Sequence, residues 1–152
     1  MGVVGEAGKA WVFVVSEQNW DTIKGLSIHG VPEGSKAHAL VGKGDYLVFY
    51  VAKRDAEKLG GMFVGVYRAV STWFREDKPL WPDEVKEGKA KYPHMVRIEP
   101  VNVVAVSFEE LVPKLRFVGK KDQANAYLVK TPANLCRPIP WEDLNLIMQS
   151  MK

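Results

Sequence analysis

The chain has 152 residues, of which 47% are hydrophobic and 26% charged, and its formal net charge is +3 at pH 7. This length is close to the commonest domain size and is enough to bury a core without disulfide or metal staples. The mild positive charge is compatible with a polyanionic partner, but a clustered basic face would be needed to identify one.

The cysteine count and the hydropathy of the chain argue against a disulfide-bonded, metal-binding or membrane-spanning protein. The lone Cys136 cannot form an internal disulfide and has no neighbours with metal-ligand spacing, so we expect neither a metal site nor a cofactor. No apolar stretch approaches the roughly 20 residues that a membrane span requires. We therefore expect a soluble, cytoplasmic protein with no membrane partner.

The N-terminal third predicts a strand and a helix after a loose segment. Residues 1–9 are rich in Gly and Ala, and the apolar run 11–15 predicts a short strand. Ser16 is a good N-cap for a helix over about 17–24 that ends at Gly25. Residues 28–34 contain Gly and Pro and predict a loop, and a short helix is expected over 35–41.

Two aromatic and β-branched runs, 46–51 and 63–70, predict neighbouring strands. Gly65 lies within the second strand, where a missing side chain indicates a bulge or a close approach of another group. Trp73 and Phe74 stand just beyond this strand, where large aromatics are well placed to form a stacking pocket.

The sequence from residue 75 onward predicts an irregular region, another strand and two helices. Residues 75–91 carry two prolines and mixed charges and predict a long functional or mobile loop. The run 92–106 predicts a long strand bent at Pro100, and Ser107 begins a capping box for a short helix. An amphipathic helix follows Pro140. The fold class is therefore mixed α/β, with a small barrel-like sheet of about five to six strands flanked by short helices.

Several segments in order resemble a known family: WVFVVSEQNW, HGVP, KGDYLVFYV, FVGVYRAV, YPHMVRIEPV and a closing helix preceded by Pro-Trp. Together they resemble the EVE domain, a PUA-like domain related to the YTH domain. The resemblance implies that residues 10–152 form a single PUA-like domain. It also implies a nucleic-acid-binding module for RNA or DNA, with a pocket that accepts a modified base.

The resemblance places the pocket at the end of the first strand with the following turn, at the loop over residues 28–32, at the strand over residues 48–51, and at an aromatic residue just after the FVGV strand. The matching positions are Ser16, Gln18, Asn19, His29, Gly30, Val31, Phe49, Tyr50 and either Trp73 or Phe74. His29 stands where relatives often carry Trp, and an imidazole can titrate near neutral pH. Trp81 could supply a missing aromatic wall.

The physics of stacking limits such a pocket. One base stacked on an aromatic side chain contributes about 1–3 kcal/mol, so discrimination requires a polar group such as Asn19 or Ser16 to pair with the base edge. Contacts to the phosphate backbone would come from basic residues near the mouth. The candidates are Lys36, Lys53, Arg54, Arg68, Arg75, Lys89, Lys91 and Arg97.

Other interpretations remain open. Phe49 and Tyr50 could serve only as core residues, since aromatics are common in strands. An exposed Trp81 loop would favour a protein–protein interaction module. An enzyme acting on a nucleotide is a further alternative, although no nucleophile motif or phosphate-cradling glycine loop is present, so we expect no catalytic residues. A monomer or a weak homodimer fits each interpretation.

Overall fold

The three-dimensional structure of the chain is a computed structural model. The structure describes residues 8–32, 34–89, 91–124 and 138–151. Residues 1–7 of the predicted loose segment, and Cys136, lie outside the described residues.

Seven strands form a curled sheet that closes into a half-barrel. The strands are β1 (Ala10–Val15), β2 (Ile28–Val31), β3 (Tyr46–Val51), β4 (Met62–Ala69), β5 (Phe74–Arg75), β6 (His94–Asn102) and β7 (Val106–Ser107). Within the described residues the α-helices are α1 (Glu17–Leu26), α2 (Ala37–Leu40), α3 (Pro82–Glu87), α4 (Phe108–Leu111) and α5 (Trp141–Ser150). Two short 3-10 helices cover Val112–Lys114 and Lys121–Gln123. The predicted fold class, a mixed α/β domain around a small barrel-like sheet, is confirmed.

The sheet has the strand order β1-β3-β4-β6-β2, with β5 on β6 and β7 on β4. The β1–β3 pair is parallel and the other pairs are antiparallel. Strand β6 bends the sheet, because its first half pairs with β2 and β5 whereas its second half pairs with β4. The pairing with β4 shifts register beside Pro100, where a proline removes a ladder donor.

Gly65 marks a close approach, as the sequence predicted. A Cβ on Gly65 would lie 2.9 Å from the Trp20 indole and 3.0 Å from the Tyr67 ring. The pairing of β3 with β4 is also irregular next to this glycine. The missing side chain therefore makes room for two rings of the core.

Side-chain alternation divides the core into two clusters, one on each face of the sheet. Ala10 and Val12 of β1 belong to a cluster closed by Leu144 and Ile147 of α5, which we call the α5 core. Their neighbours Trp11 and Phe13 belong to the second cluster, which includes Trp20 of α1 and which we call the cleft core.

Three secondary-structure predictions were wrong. The predicted loop over 28–34 contains β2, because residues 28–31 pair with β6 in spite of the glycine. The predicted irregular region 75–91 contains α3, which starts at Pro82 and ends at Gly88 in a left-handed conformation. The predicted strand 92–106 is divided, since β6 ends at Asn102 and β7 begins at Val106.

The helix caps were predicted correctly. Ser16 accepts a hydrogen bond from the Asn19 backbone N–H at 3.1 Å, and Ser107 accepts one from the Glu110 N–H at 3.3 Å.

Within the described part of the chain, no helix is long and apolar enough to span a bilayer.

Candidate functional site

An open cleft of about 1340 Å³ lies beside the cleft core. Its walls come from the end of β1, the first turns of α1, strand β2, the start of α3 and Tyr92. Strand β2 and the α3 segment are distant in sequence, so the cleft exists only because tertiary packing brings them together.

Glu84 holds the α3 wall in place. Its side chain is fully buried, and one carboxylate oxygen accepts from the backbone N–H groups of Leu80 and Trp81 at 2.8 and 2.9 Å. The other oxygen accepts from Lys91 and Tyr92 at 2.7 and 2.8 Å. Burial raises the pKa of Glu84, but these four N–H bonds outweigh it, so the pKa lies below its usual value.

Gly30 allows β2 to pass against this wall. A Cβ at Gly30 would lie 3.0 Å from Trp81 Nε1 and 3.1 Å from Tyr92 Cβ. Any side chain at this position would push the Trp81 indole or Tyr92 outward. The glycine therefore permits the close contact that shapes the cleft.

His29 lies buried between two aromatic rings. Its ring centroid is 4.6 Å from that of Phe13 and 5.0 Å from that of Phe49, and the side chain is 4% exposed. Neither ring nitrogen has a hydrogen-bond partner. Burial lowers the pKa of His29 to about 3, so the imidazole is neutral at physiological pH. The predicted titration near neutral pH was therefore wrong.

Two other cleft residues carry buried polar atoms without a partner. These are Asn19 Oδ1 and Trp81 Nε1. Trp81 was predicted to lie in an exposed loop, but it is only 2% exposed. Its backbone N–H donates to the buried Glu84 carboxylate, and its ring packs at right angles to the ring of Tyr92. This burial removes the observation on which the protein-interaction alternative depended.

The structure brings seven of the eleven predicted pocket residues to the cleft. They are Ser16, Gln18, Asn19, His29, Gly30, Val31 and Trp81. Their part in ligand binding stays a prediction. The other four, Phe49, Tyr50, Trp73 and Phe74, do not line the cleft.

Phe49 and Tyr50 point to opposite faces of β3. Phe49 is fully buried in the cleft core, where it supports His29 from behind. Tyr50 belongs to the α5 core and packs on Phe63 and Phe108. Phe49 and Tyr50 therefore do not share one pocket, because their side chains project from opposite faces of the sheet.

Trp73 and Phe74 lie on another part of the surface. Trp73 Nε1 donates to the Val41 carbonyl at 2.6 Å, and its ring packs edge-on against His38. Phe74 pairs with Met95 in the β5–β6 ladder, and the Arg97 guanidinium lies over its ring. Both aromatics serve packing in this structure.

The predicted backbone-contacting cations are dispersed. Among them only Lys36 lines the cleft. Arg75 pairs with Asp77, and Lys91 pairs with Glu87 beside the cleft. The remaining candidates lie elsewhere on the exposed surface, namely Lys53, Arg54, Arg68, Lys89 and Arg97.

Sequence reasoning missed several residues of the site. Phe13, Tyr92, Asp83 and Lys86 line the cleft, and Glu84 supports it from behind. For α3 a signal was available, because Pro82 followed by Asp83 and Glu84 has the proline and acidic residues of a helix start. No comparable signal marks Phe13, whose position in the cleft depends on the curvature of the sheet.

Comparison with known proteins identifies the family. The chain matches the EVE domain family over residues 9–150. It is 33% identical over 142 residues to a UPF0310 protein of Saccharolobus solfataricus, covering 93% of this chain and 94% of the relative. It is 32% identical over 140 residues to a UPF0310 protein of Pyrococcus abyssi, covering 90% and 95%.

Solved structures of similar fold include YTH domains. The YTH domain of the Zygosaccharomyces rouxii MRB1 protein, in complex with N6-methyladenosine RNA, superimposes with a TM-score of 0.61 at 20% identity. The Pho92 YTH domain in complex with m6A gives 0.61 at 18% identity. Each comparison covers 100% of this chain and 91% of the solved chain. The sequence match over nearly the whole length and the shared fold lead to one conclusion: this chain belongs to the EVE domain family.

Proposed function

We propose that the cleft binds single-stranded nucleic acid and holds one base, modified or unmodified, against His29, Asn19 and Trp81. One observation carries this proposal: three side chains that line the same cleft each carry a buried polar atom without a partner. Leaving a buried polar group unpaired costs about 1–3 kcal/mol, so native structures rarely do so without a reason. A ligand with polar edge atoms would satisfy these groups.

The chemistry of the walls favours a flat ligand with a polar rim. Phe13, Trp81 and Tyr92 contribute aromatic side chains, and the lining residues His29, Asn19 and Trp81 hold polar atoms that no group of the described chain pairs with. A nucleobase combines an apolar face with donors and acceptors along its edge. The YTH domains of similar fold that were solved with N6-methyladenosine RNA and with m6A support a modified base as the ligand.

The charge of the cleft favours weak contacts to phosphates. Lys36 and Lys86 are exposed at the cleft, but Asp55 and Asp83 also line it. With about two phosphate contacts on a single strand, the logarithm of the binding constant should fall with the logarithm of salt concentration at a slope of about −1.4. We therefore propose a short binding site that recognises a base rather than a long strand.

The ionisation states favour binding over catalysis. His29 remains neutral because its pKa is depressed to about 3. Burial and the hydrogen bond to Asp83 raise the pKa of Tyr92, so this hydroxyl keeps its proton. Neither group exchanges a proton readily near pH 7, whereas efficient general acids and bases have pKa values near the working pH.

A matched pair of asparagine variants tests the proposal. Asn19 and Asn102 are both partly buried, but Asn102 donates to the Met148 carbonyl of α5 and does not line the cleft. Fluorescence anisotropy with labelled RNA and DNA nonamers should show that Asn19→Ala weakens binding roughly 5- to 100-fold, whereas Asn102→Ala leaves it unchanged. The central base should be adenine, N6-methyladenine, cytosine or 5-methylcytosine in turn. Equal affinities of both variants and the wild type for every nonamer would place binding outside the cleft.

A further inference from the structure

The main-chain groups of β1 point alternately toward β3 and toward the open edge of the sheet. On the β3 side, the Lys9 carbonyl accepts from the Tyr46 N–H at 2.7 Å, and the Val15 carbonyl accepts from the residue after β3 at 2.9 Å. On the other side, the Ala10 carbonyl accepts from the Ile139 N–H at 2.8 Å. The β1–β3 register is unbroken, so the odd-numbered residues pair with β3 and the even-numbered residues face the open edge.

Val14 is the residue at which this open edge borders the cleft. It lines the cleft together with Phe13 and Val15, and it is 40% exposed. The main-chain groups of Phe13 and Val15 pair with β3, whereas no described residue donates to or accepts from the main chain of Val14. Of these three residues, Val14 alone keeps an N–H and a C=O outside the ladder.

The Val14 side chain projects away from the cleft core. Side chains alternate along β1, so that of Val14 points to the α5 face, as do those of Ala10 and Val12 in the α5 core. The Phe13 ring projects to the other face, into the cleft core. Val14 therefore borders the cleft with its main-chain edge.

The open edge is too short for a peptide strand. Ala10 is already paired with Ile139, and Val12 is fully buried. The strand ends before Ser16, whose carbonyl accepts from the Trp20 N–H at 2.9 Å in the first turn of α1. Addition of a peptide strand needs main-chain bonds over several residues. One neighbouring donor and acceptor instead suit the Watson–Crick edge of a base, where an N–H or amino group lies beside an acceptor.

We propose that the main chain of Val14 pairs with the Watson–Crick edge of the bound base, with its N–H donating and its C=O accepting. The inference rests on the proposed function and specifies its substrate class. Modified bases that keep a donor and an acceptor on this edge are accepted, whereas modifications that block the edge are excluded. A base that is already paired in a duplex is excluded for the same reason.

The first test uses labelled RNA nonamers that differ only in the central base. Each pair compares a base with a methylated form that lacks its Watson–Crick donor: uracil with N3-methyluracil, guanine with N1-methylguanine, adenine with N6,N6-dimethyladenine, and cytosine with N4,N4-dimethylcytosine. In the best-bound pair, the wild type should bind the unmethylated member roughly 5- to 100-fold more tightly, because the methylated form leaves the Val14 carbonyl unpaired.

The second test removes the Val14 N–H. An edge strand tolerates proline where the N–H does not enter the ladder, so Val14→Pro should fold and should bind the best nonamer roughly 5- to 100-fold more weakly. Replacing Val14 with its α-hydroxy acid puts an ester in place of the amide, removes the same N–H without fixing φ, and should give a similar loss. Val101 is also a strand valine that is 40% exposed, but it does not line the cleft. Val101→Pro is therefore the matched control and should bind with wild-type affinity.

The outcomes separate this inference from the proposed function. If the wild type binds a nonamer but binds both members of every pair equally, or if the ester variant binds like the wild type, the main-chain contact is overturned while the nucleic-acid site stands. If the wild type binds no nonamer at all, the proposed function fails, and this inference fails with it. Thermal melts identify any loss of affinity that comes from unfolding, and the ester variant decides the test if Val14→Pro does not fold.

Discussion

The two faces of the sheet treat buried polar groups differently. On the α5 face, the buried Asp143 carboxylate accepts from the Arg116 and Phe117 N–H groups, each at 2.7 Å. On the cleft face, His29, Asn19 and Trp81 keep buried polar atoms without a partner. Among the described residues, the buried carboxylate of the α5 face is thus satisfied, whereas the cleft face retains buried polar atoms that no other described group pairs with.

The cleft side also contrasts Glu84 with His29. Both side chains are buried, yet Glu84 accepts four backbone hydrogen bonds and His29 makes none. Glu84 stabilises the wall of the cleft, while the unpartnered His29 lowers stability. The difference indicates that a destabilising residue is tolerated where the surrounding structure is held firmly.

The largest expected effect is on the free energy of unfolding and comes from a change in Glu84, which holds the α3 wall of the cleft. Glu84→Gln replaces one acceptor oxygen with an NH₂ group that faces two backbone N–H donors. We expect the free energy of unfolding to fall by roughly 3–5 kcal/mol, because buried donors lose a charged partner. Urea denaturation measures this loss. Glu87→Gln, an exposed position on the same helix, should change stability by less than about 0.5 kcal/mol.

A core variant on the other face sharpens the comparison. Leu144→Ala removes a fully buried side chain of the α5 core and should cost about 2–5 kcal/mol. Its folded fraction should bind the best nonamer with wild-type affinity, because the cleft lies on the other face. Glu84→Gln should weaken both stability and binding. Equal binding losses in the two variants would mean that the faces are not independent.

The next effect is a pH dependence caused by His29. The pKa is about 3 in the folded state and about 6.5 in the unfolded chain, so the unfolded state binds more protons between these values. The free energy of unfolding is therefore at its full value above about pH 6.5, and the part that depends on a neutral His29 is lost as the pH falls toward 3. Between pH 7.5 and 5 the wild type should lose roughly 2 kcal/mol more than His29→Phe.

Urea titrations of both proteins at the two pH values measure this difference. If both proteins lost the same free energy of unfolding between the two pH values, the His29 imidazole would have a hydrogen-bond partner in solution that keeps its pKa from being depressed. The same neutral ring should leave oligonucleotide affinity independent of His29 protonation between pH 5.5 and 8, so wild type and His29→Phe should respond alike to pH in that range.

The smallest effects concern surface cations. Lys36→Ala and Lys86→Ala should each reduce the salt slope of binding by about 0.7, because both lysines lie at the cleft. Arg75→Ala should leave the slope unchanged, since Arg75 is paired with Asp77 away from the cleft. Anisotropy titrations at several salt concentrations distinguish the three. A reduced slope in Arg75→Ala would extend the binding surface beyond the cleft.

Local sequence signals determined much of this fold. Apolar runs rich in aromatic and β-branched residues located β1, β3 and β4, Ser16 and Ser107 were recognised as caps, and Gly65 indicated a close approach. The order of segments was enough to indicate the EVE domain family. The residues around Ser16 and His29, which the resemblance assigned to the pocket, line the cleft, and their part in ligand binding stays a prediction.

Other features depended on contacts between distant segments. Strand geometry alone places Phe49 and Tyr50 on opposite faces of β3, but which face carries the cleft is decided by where α1, α3 and α5 pack. Trp81 is buried because Glu84 binds backbone on both sides of α3, and His29 loses its titration near neutral pH because Phe13 and Phe49 exclude water from it. Burial and pairing are properties of the packed chain, so the pKa and the hydrogen-bonding state of a residue cannot be read from its immediate neighbours in sequence.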